Sequence, residues 1–430
     1  MKHVYLSDLA NFLGQEITIK AWVFNFRSSG KIFFLQLRDG TGRIQAVISK
    51  NEVSAEVWQA CEKITMETSV EVSGQAMEDK RSPFGYEMQV KDLKLISIAE
   101  EYPIAKKEHG VDFLLDNRHL WIRSERQTAI LRIRDEIIWS MREFFRQQGY
   151  VLTDTPILTP TSCEGTTTLF STDYFDEKAY LSQSGQLYLE ALAMALGRVY
   201  DFGPTFRAEK SKTRRHMMEF WMLDAEAAFV QHEENMEVQE KLVQYVVSHI
   251  LRNRARELEI LKRDISLLEK VKTPFPRISY QEAVDKLKVL GSDIKFGDDL
   301  GADDETLLTK EFDKPVFVTN YPAKIKAFYM QPDPTNPELA MCDDLLAPEG
   351  YGEIIGGSER VWDLKILEKR IKEYKLPQKD FDWYLDLRRY GSVPHSGFGI
   401  GLERTVAWIC GLDHVRETIP FPRLLNRLRP

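Results

Sequence analysis

Residues 396–410 read SGFGIGLERTVAWIC, a strand-like segment with glycine at alternate positions that runs into an apolar helix. Alternate glycines let another backbone or a ligand approach a strand closely. Arg404 begins a helix whose other residues are typical of a protein core, and a buried arginine requires an anionic partner. That partner is either a protein carboxylate such as Glu403 or a phosphate group of a ligand.

The basic segment 206–221, FRAEKSKTRRHMMEFW, favours the phosphate. Strand-like residues on either side enclose a loop that contains five basic residues and one acid between positions 207 and 215. Such a loop can hold a polyphosphate, and planar Arg207 can bind it through two hydrogen bonds. Phe220 offers a ring on which a base can stack. Alone, this loop would be interpreted as a solvated hairpin tip, but a triphosphate shared with Arg404 explains both arginines.

Two acidic segments supply groups that complement a triphosphate. The sequences MCDD at 341–344 and GEIIGGSER at 352–360 place carboxylates around strands. Mg²⁺ binds one or two protein carboxylates together with phosphate oxygens, and Asp344 and Glu353 would do this if their strands are neighbours. Without the two arginine sites, these acids would be interpreted as ordinary surface residues.

Several other classes of protein are excluded because the sequence lacks the motifs that they require. The glycines of 397–401 do not form a dinucleotide fingerprint, because no strand–helix–strand unit and no downstream acid follow. The sequence contains no GxSxG elbow, GxxxxGK[ST] loop, HExxH pair or CxxC pair. This argues against α/β-hydrolases, P-loop NTPases and zinc enzymes.

Length and composition indicate a folded protein of several domains. The 430 residues include 58 Lys+Arg and 66 Asp+Glu, giving a net charge of −8, and 43% are hydrophobic, so more than one core can form. Neither a signal peptide nor a membrane span is predicted, because no suitable apolar run occurs. The four cysteines are far apart in sequence, which indicates a reducing, cytoplasmic setting.

The first hundred residues alternate as short strands do and predict an OB-fold β-barrel. Apolar and polar residues alternate through 17–21, 33–38 and 44–48, and five such strands in about 100 residues are typical of this small barrel. Six basic residues and one acid lie between Lys20 and Lys50. A basic face with an outward aromatic ring suits unpaired bases, and an ordinary solvated sheet face is the alternative.

The rest of the chain predicts an antiparallel sheet flanked by helices, so the fold class is α+β. Apolar residues at helical spacing run through 126–148, Gly149 ends that helix, and a strand is expected to run as far as Pro156. A long helix is expected at about 233–272. Strands separated by loops are expected again from Val316.

These segments, in this order, resemble motifs 1, 2 and 3 of the class II aminoacyl-tRNA synthetases. The helix and strand that end at Pro156 resemble motif 1, residues 206–220 resemble motif 2, and residues 397–404 resemble motif 3. A barrel followed by this catalytic order is similar to subclass IIb, which contains the aspartyl, asparaginyl and lysyl enzymes. The bacterial asparaginyl family matches most closely, and the resemblance covers essentially the whole chain.

The resemblance gives an expected division of the chain. An anticodon-binding barrel is expected at 1–100, a linker at 101–118, and a class II catalytic domain at 119–430 with a helical insertion at about 233–315. The charged, proline-containing sequence EEYPIAKKEHG at 100–110 is typical of a boundary between domains.

The resemblance also implies roles around the nucleotide. Arg207 would contact the α-phosphate of ATP and Arg404 the γ-phosphate, while Phe220 would stack on adenine. The other residues expected around the nucleotide are Glu209, His216 and Glu219. Asp344 and Glu353 match the acids that bind Mg²⁺, although Gly356 stands where the family usually has a serine that also contacts the ion.

The remaining roles concern the amino acid and the tRNA. Residues that match those holding the substrate's α-amino group are Glu164 and Gln186, and Arg360 matches the arginine that contacts the side-chain oxygen. Asp224 matches an acid, usually glutamate, that accepts from the asparagine amide. The barrel positions that match anticodon-reading residues are Arg27, Phe34 and Gln45.

Few residues distinguish asparagine from aspartate. The aspartyl relatives carry Gln-Ser-Pro-Gln followed three residues later by a lysine, whereas this chain has Gln-Ser-Gly-Gln and Leu189. Loss of a cation lowers the preference for a carboxylate, so Leu189→Lys is expected to shift the preference toward aspartate if Leu189 faces the substrate. A plain core position for Leu189 is the other interpretation.

The resemblance implies a cytoplasmic homodimer, dimerised through motif 1, that uses ATP, Mg²⁺, asparagine and tRNA(Asn). Asparagine is converted to asparaginyl-adenylate and then transferred to the 3′ end of the tRNA. The alternatives are an aspartyl-type enzyme, a synthetase-like binding protein without catalysis, and an ATP-dependent amidoligase. Retention of both arginines and the acids argues against the second, and the N-terminal barrel argues against the third.

Overall fold

The structure is a computed structural model that describes residues 2–104, 107–161, 168–211 and 213–430. The chain divides after Gly110 into two compact units. Within the described residues, no helix combines the length and the apolar character that crossing a membrane requires.

The first unit is a closed barrel. Its elements are β1 (Lys2–His3), a 3-10 helix (Leu6–Phe12), β2 (Glu16–Ser29), β3 (Ile32–Arg38), β4 (Arg43–Ser49), α1 (Ala55–Cys61), β5 (Ser69–Glu78) and β6 (Tyr86–Ser97). The strands follow the order β2–β3–β4–β6–β5, and β5 pairs again with β2. Alternation along β3 buries Leu35 and Leu37 in the barrel core and turns Phe34 to the opposite face. The predicted OB-fold barrel is confirmed.

The second unit contains a large mixed sheet with helices packed against it. Its helices are α2 (Val111–Asp116), α3 (Arg118–Trp121), α4 (Glu125–Gln147), α5 (Gln186–Leu196), α6 (His232–Asn253), α7 (Ala255–Ile260), α8 (Ile265–Leu268), α9 (Tyr280–Val289), α10 (Ala302–Thr309), α11 (Leu364–Glu373), α12 (Gln378–Arg389) and α13 (Leu402–Cys410). A 3-10 turn follows at Val415–Glu417.

The strands of the second unit form two sheets. They are β7 (Val151–Leu152), β8 (Leu158–Thr159), β9 (Ser171–Tyr174), β10 (Glu177–Leu181), β11 (Arg198–Tyr200), β12 (Gly203–Phe206), β13 (Glu219–Ala228), β14 (Arg277–Ser279), β15 (Val316–Thr319), β16 (Cys342–Ala347), β17 (Gly352–Glu359) and β18 (His395–Gly401). The large sheet runs β14–β15–β16–β17–β18–β13–β11–β7, and β12 pairs with β13. Its central pairs are antiparallel, as predicted. The small sheet is β8–β10–β9.

The main core lies between the large sheet and α4, α6 and α13. Helix α4 begins after Ser124, whose side chain accepts from the Gln127 backbone N–H, and the Ser124 cap satisfies one of the free amides at the helix start. Gly149, with φ +77°, follows its C-terminus, as the sequence predicts. A buried ion pair of 2.7 Å joins Arg134 of α4 to Glu403 of α13.

Two local predictions are wrong. The long helix expected at 233–272 is three helices, because Arg254 leaves the helical conformation after α6 (φ −128°) and Lys262 has a positive φ after α7. The strand expected to reach Pro156 ends at Leu152, and β8 then joins the small sheet. Apolar periodicity does not reveal the helix breaks, because Val243, Leu258 and Leu268, one in each helix, pack in the same core.

Candidate functional site

One face of the large sheet forms the floor of a cavity of about 670 Å³. Its walls come from the starts of α5 and α13 and from the loop residues 207–209, 215–217 and 324–330. The sequence-predicted residues that line it are Gln186, Arg207, Glu209, His216, Phe220, Asp224, Asp344, Glu353, Arg360 and Arg404. The fold therefore brings the segments that resemble motifs 2 and 3 and the acidic segments into one site, whereas no residue of 126–156, the segment that resembles motif 1, lines the cavity.

The floor of the cavity is a row of four residues aligned across neighbouring strands. Asp224 pairs with Gly399, Gly399 with Gly356, and Gly356 with Asp344. A Cβ atom at Gly399 would lie 2.5 Å from the Asp224 carboxylate and 2.9 Å from the Met222 sulfur, so glycine keeps the middle of the floor open. This is the close approach that the alternating glycines predict.

Arg404, at the third position of α13, is paired with the cavity acid Glu353. Its Nη1 donates to Glu353 Oε2 at 2.8 Å and to the Glu353 carbonyl oxygen at 3.0 Å. Burial opposes ionisation of Glu353, but Arg404 and Lys326 outweigh burial and hold its pKa below the usual range. The alternative partner, Glu403, instead binds Arg134 and the Trp221 backbone N–H, because successive helical residues point in different directions.

The basic hairpin between β12 and β13 places a cation next to an aromatic ring. The Arg207 guanidinium lies 5.8 Å from the centre of the Phe220 ring and donates to the Gln183 carbonyl oxygen at 2.7 Å. His216 contacts Thr213 through Nδ1, and burial, followed by the charge of Arg404, lowers the pKa of His216. Glu219 begins β13 and lies outside the cavity lining.

The two acids predicted to bind a metal lie on adjacent strands and flank Gly356. A Cβ atom at Gly356 would lie 3.3 Å from Glu353 Oε1 and 3.7 Å from Asp344 Oδ1, so both carboxylates face the space above this glycine. Lys326 donates to Asp344 Oδ2 at 2.7 Å. Burial raises the pKa of Asp344 to about 6, against the opposing charge of Lys326. Two neighbouring carboxylates that face one open space suit Mg²⁺.

The opposite end of the cavity is formed by the start of α5 and by β13. Asp224 Oδ2 accepts from the Ser184 hydroxyl at 2.7 Å and from the Gly185 backbone N–H at 2.9 Å. Asp224 therefore fixes the turn that begins α5. Gln186, the first residue of that helix, lines the cavity beside Asp224.

Glu226 is a cavity residue that the sequence reasoning missed. It is 1% exposed, and its Oε1 accepts from Arg360 Nε at 3.0 Å and from Arg360 Nη2. Burial raises the pKa of Glu226, and the Arg360 guanidinium opposes that rise. Its Oε2 has no hydrogen-bond partner among the described residues. Strand alternation from Phe220 through Asp224 would have placed Glu226 on the same face.

Two further charged residues near Glu353 were also missed. Lys326 comes from the loop after β15, and Glu305 comes from α10 within the predicted helical insertion. Glu305 accepts from Arg215 Nη1 at 2.6 Å and from the Glu353 backbone N–H at 3.0 Å. Neither lies in a recognisable motif, so only the fold shows that the insertion supports this site.

Leu189 does not line the cavity. It is fully buried against Ala193 and Val199, so the interpretation that it faces a substrate is wrong and the plain core position is correct. Helix α5 turns Leu189 toward this apolar cluster and places Glu190, one full turn after Gln186, behind the cavity. Glu164, the other residue expected at this end, lies outside the described residues.

The residues predicted to read an anticodon share one face of the first unit. Arg27 pairs with Phe34 across β2 and β3, and its guanidinium lies 4.4 Å from the centre of the Phe34 ring. Gln36, two residues along the same face of β3, pairs with Gln45 on β4. Gln45 is buried and donates to Glu87 at 3.0 Å. The face thus carries a cation, a ring and amide groups in adjacent rows.

Two family models match the chain. Residues 110–425 match the model described as tRNA synthetases class II (D, K and N), and residues 17–96 match the OB-fold nucleic acid binding domain.

The chain is similar to several named proteins over their full length. The chain is 59% identical to the asparagine–tRNA ligase of Symbiobacterium thermophilum and 58% identical to that of Pelotomaculum thermopropionicum, covering 100% of both proteins in each case. Among solved structures, it is 46% identical, with a TM-score of 0.97 over 100% of both chains, to asparaginyl-tRNA synthetase from Pyrococcus horikoshii complexed with asparaginyl-adenylate. The Entamoeba histolytica enzyme is 33% identical, with a TM-score of 0.92 over 100% of this chain and 99% of that one.

The buried carboxyl of Asp201 lies behind Asp224, and we expect it to make the stability of the folded protein depend on pH. Burial and then the charge of Asp224 raise the pKa of Asp201 to about 8. Between about pH 4 and pH 8 the folded protein keeps a proton that the unfolded chain has released, so stability falls as pH rises. Asp201→Asn removes this titration. Its stability relative to wild type is expected to increase by up to about 1.4 kcal/mol per pH unit across that window.

Denaturant unfolding of both proteins at pH 5 and pH 8 measures this difference. Asp173→Asn is the control, because the Asp173 side chain is 88% exposed. A gap between wild type and Asp201→Asn that stays constant from pH 5 to pH 8 would contradict the prediction.

Proposed function

Because the chain belongs to the class II tRNA synthetases of the aspartyl, lysyl and asparaginyl group, we propose that it acts as an asparagine–tRNA ligase. The observation that carries this conclusion is a single cavity with paired arginine and carboxylate groups at both ends. One end, around Arg207 and Arg404, suits a triphosphate, and the other, around Glu226 and Arg360, suits a carboxamide. The full-length likeness to asparagine–tRNA ligases supports the same assignment.

The reaction has two steps. The carboxylate of asparagine attacks the α-phosphorus of ATP in line, which breaks the bond to the β-phosphate and gives asparaginyl-adenylate and pyrophosphate. A hydroxyl of the terminal tRNA ribose then attacks the acyl carbon and releases AMP. No side-chain nucleophile is needed, so the protein contributes positioning and charge neutralisation.

We assign those two contributions to the following residues. Arg207 binds the α-phosphate, and Phe220 stacks on the adenine. Arg404 binds the γ-phosphate, which replaces the Glu353 carboxylate as its partner. Glu209, His216 and Glu219 are assigned to the surroundings of the nucleotide. A magnesium ion bound by Asp344 and Glu353 would supply further positive charge to the phosphate oxygens. The open space over Gly356 between these acids supports that assignment.

We assign recognition of the asparagine side chain to Arg360 and Glu226. Arg360 donates to the side-chain oxygen, and Glu226 Oε2 accepts from the amide NH₂. Asp224, the acid first assigned to this contact, already uses one oxygen to hold the turn before α5. Gln186 and Glu164 are assigned to the α-amino group. An aspartyl-type enzyme is the second candidate, because Arg360 is also suited to a carboxylate.

The proposal also covers tRNA recognition, dimerisation and location in the cell. The face of Arg27, Phe34 and Gln45 reads the anticodon of tRNA(Asn), and the protein is a homodimer through the α4 region, where Trp139 is 66% exposed. A cytoplasmic location is supported by Cys61, Cys342 and Cys410, which are buried free thiols.

ATP–pyrophosphate exchange measured with each amino acid tests the activity directly. Exchange that depends on asparagine supports the proposal, whereas exchange only with aspartate supports the second candidate. No exchange with any amino acid, in folded protein that binds tRNA, would favour a binding protein.

Arg404→Ala is expected to lower the rate of exchange by about 10²–10³-fold or more, because it removes a cation directed at phosphate charge. Arg389→Ala, at the end of α12, provides the matched control for loss of a surface arginine. Circular dichroism verifies that both variants fold. A rate within a few-fold of wild type for Arg404→Ala would refute its role.

Glu226→Gln is expected to shift the ratio of kcat/KM for asparagine over aspartate toward aspartate by about tenfold or more. The new amide can present only one oxygen, which Arg360 attracts, so an NH₂ group faces the substrate side chain. Asp224→Asn is measured beside it. If the kcat/KM ratio shifts in Asp224→Asn and not in Glu226→Gln, Asp224 and not Glu226 accepts from the amide NH₂ of the substrate.

Phe34→Ala is expected to raise KM for tRNA while leaving asparagine-dependent exchange unchanged. Stacking of one base contributes about 1–3 kcal/mol, and the cavity residues all belong to the second unit. Tyr5→Ala, which removes an exposed ring elsewhere in the first unit, controls for loss of aromatic surface. Equal loss in aminoacylation and in exchange would count against anticodon reading by this face.

A further inference from the structure

A fully buried carboxylate, Glu190, lies directly behind the amino-acid end of the cavity. Its Oε1 accepts from Gln186 Nε2 at 3.1 Å and from the Tyr384 hydroxyl at 2.7 Å. Its Oε2 accepts from Arg388 Nη2 at 2.6 Å and lies 3.0 Å from His395 Nε2. Glu190 does not line the cavity, whereas Gln186 does. The network therefore reaches the cavity through the Gln186 amide.

The charge of this carboxylate restricts its partners. Burial alone would raise the pKa of Glu190, but Arg388 and His395 hold it well below its usual range. An ionised carboxylate accepts hydrogen bonds and donates none. Gln186 must therefore turn its NH₂ group to Glu190, which leaves the carbonyl oxygen of the same amide for the cavity.

We propose that Glu190 is a positioning residue that fixes the Gln186 amide with its carbonyl oxygen toward the α-ammonium group of the substrate. Without this constraint, the amide could rotate and present NH₂, which would oppose an ammonium group. Glu190 thereby selects for an α-amino acid over a similar molecule that lacks the amino group. This inference rests on the proposed function, in which Gln186 holds the α-amino group.

Glu190→Gln tests the proposal because it preserves shape and changes the pattern of donors. Arg388 attracts the single oxygen of the amide introduced at position 190, so its NH₂ group faces Gln186. Gln186 then turns its oxygen away from the cavity and its NH₂ group toward the substrate. Loss of a hydrogen bond to a charged group corresponds to roughly a ten- to hundredfold weaker interaction.

The experiment compares asparagine with succinamic acid, which is asparagine without its α-amino group. In Glu190→Gln, KM for asparagine in pyrophosphate exchange should rise roughly ten- to hundredfold. The inhibition constant of succinamic acid and KM for ATP should stay within about twofold of wild type. Tyr384→Phe is the matched control, since it removes one donor to the same carboxylate without providing a reason for Gln186 to rotate.

A rescue variant separates orientation from structural damage. Adding Gln186→Glu to Glu190→Gln supplies two acceptor oxygens at position 186, one for the new NH₂ group and one for the ammonium group. This double variant should regain the wild-type preference for asparagine over succinamic acid. If Glu190→Gln alone does not fold, the preference measured in the double variant tests the proposal.

The possible outcomes distinguish the two proposals. Equal weakening of asparagine and succinamic acid in Glu190→Gln, or no recovery of the preference in the double variant, would overturn the positioning role. Wild-type protein that shows no exchange with asparagine would instead refute the proposed function.

Discussion

The register that places β18 between β13 and β17 is the constraint on which the site depends. It aligns Asp224, Gly399, Gly356 and Asp344 in one row, with acids at the ends and glycines in the middle. A shift of one residue would turn every side chain on a strand to the opposite face. For β18 this would bring Phe398 or Ile400 into the place of Gly399, and either side chain would cover the cavity floor.

Buried charge is the second constraint, and the chain meets it by pairing. Arg404 with Glu353, Arg360 with Glu226, and Arg388 with Glu190 are ion pairs in or behind the cavity. A buried pair contributes little net stability, because desolvation offsets the attraction, but removal of one partner is strongly destabilising. These pairs are therefore better explained by function: the first two hold charges where ligand groups can exchange with them, and the third holds a side chain in place.

The sequence predicted the site unevenly, and the difference has a physical basis. Arg207, Phe220 and Arg404 were found because each lies in a contiguous segment whose pattern is unusual: a basic loop between strands, or alternate glycines before an apolar helix. Glu226 and Glu305 were missed because each is an ordinary acid in its local sequence. The sequence left open whether Leu189 faces the substrate or the core, because a position in a motif does not define which side of a helix faces the cavity.

The sequence by itself determined the order of elements, the barrel and the antiparallel sheet, which follow from alternation and helical spacing, and its local motifs indicated five cavity residues: Arg207, Phe220, Asp344, Glu353 and Arg404. It also determined the family, because ordered motifs far apart in one chain are specific. Only the tertiary structure decided which charges pair. Arg404 meets Glu353 and not its neighbour Glu403, and Arg388 meets Glu190, because strand register and helix packing set distances between side chains that sequence spacing leaves undefined.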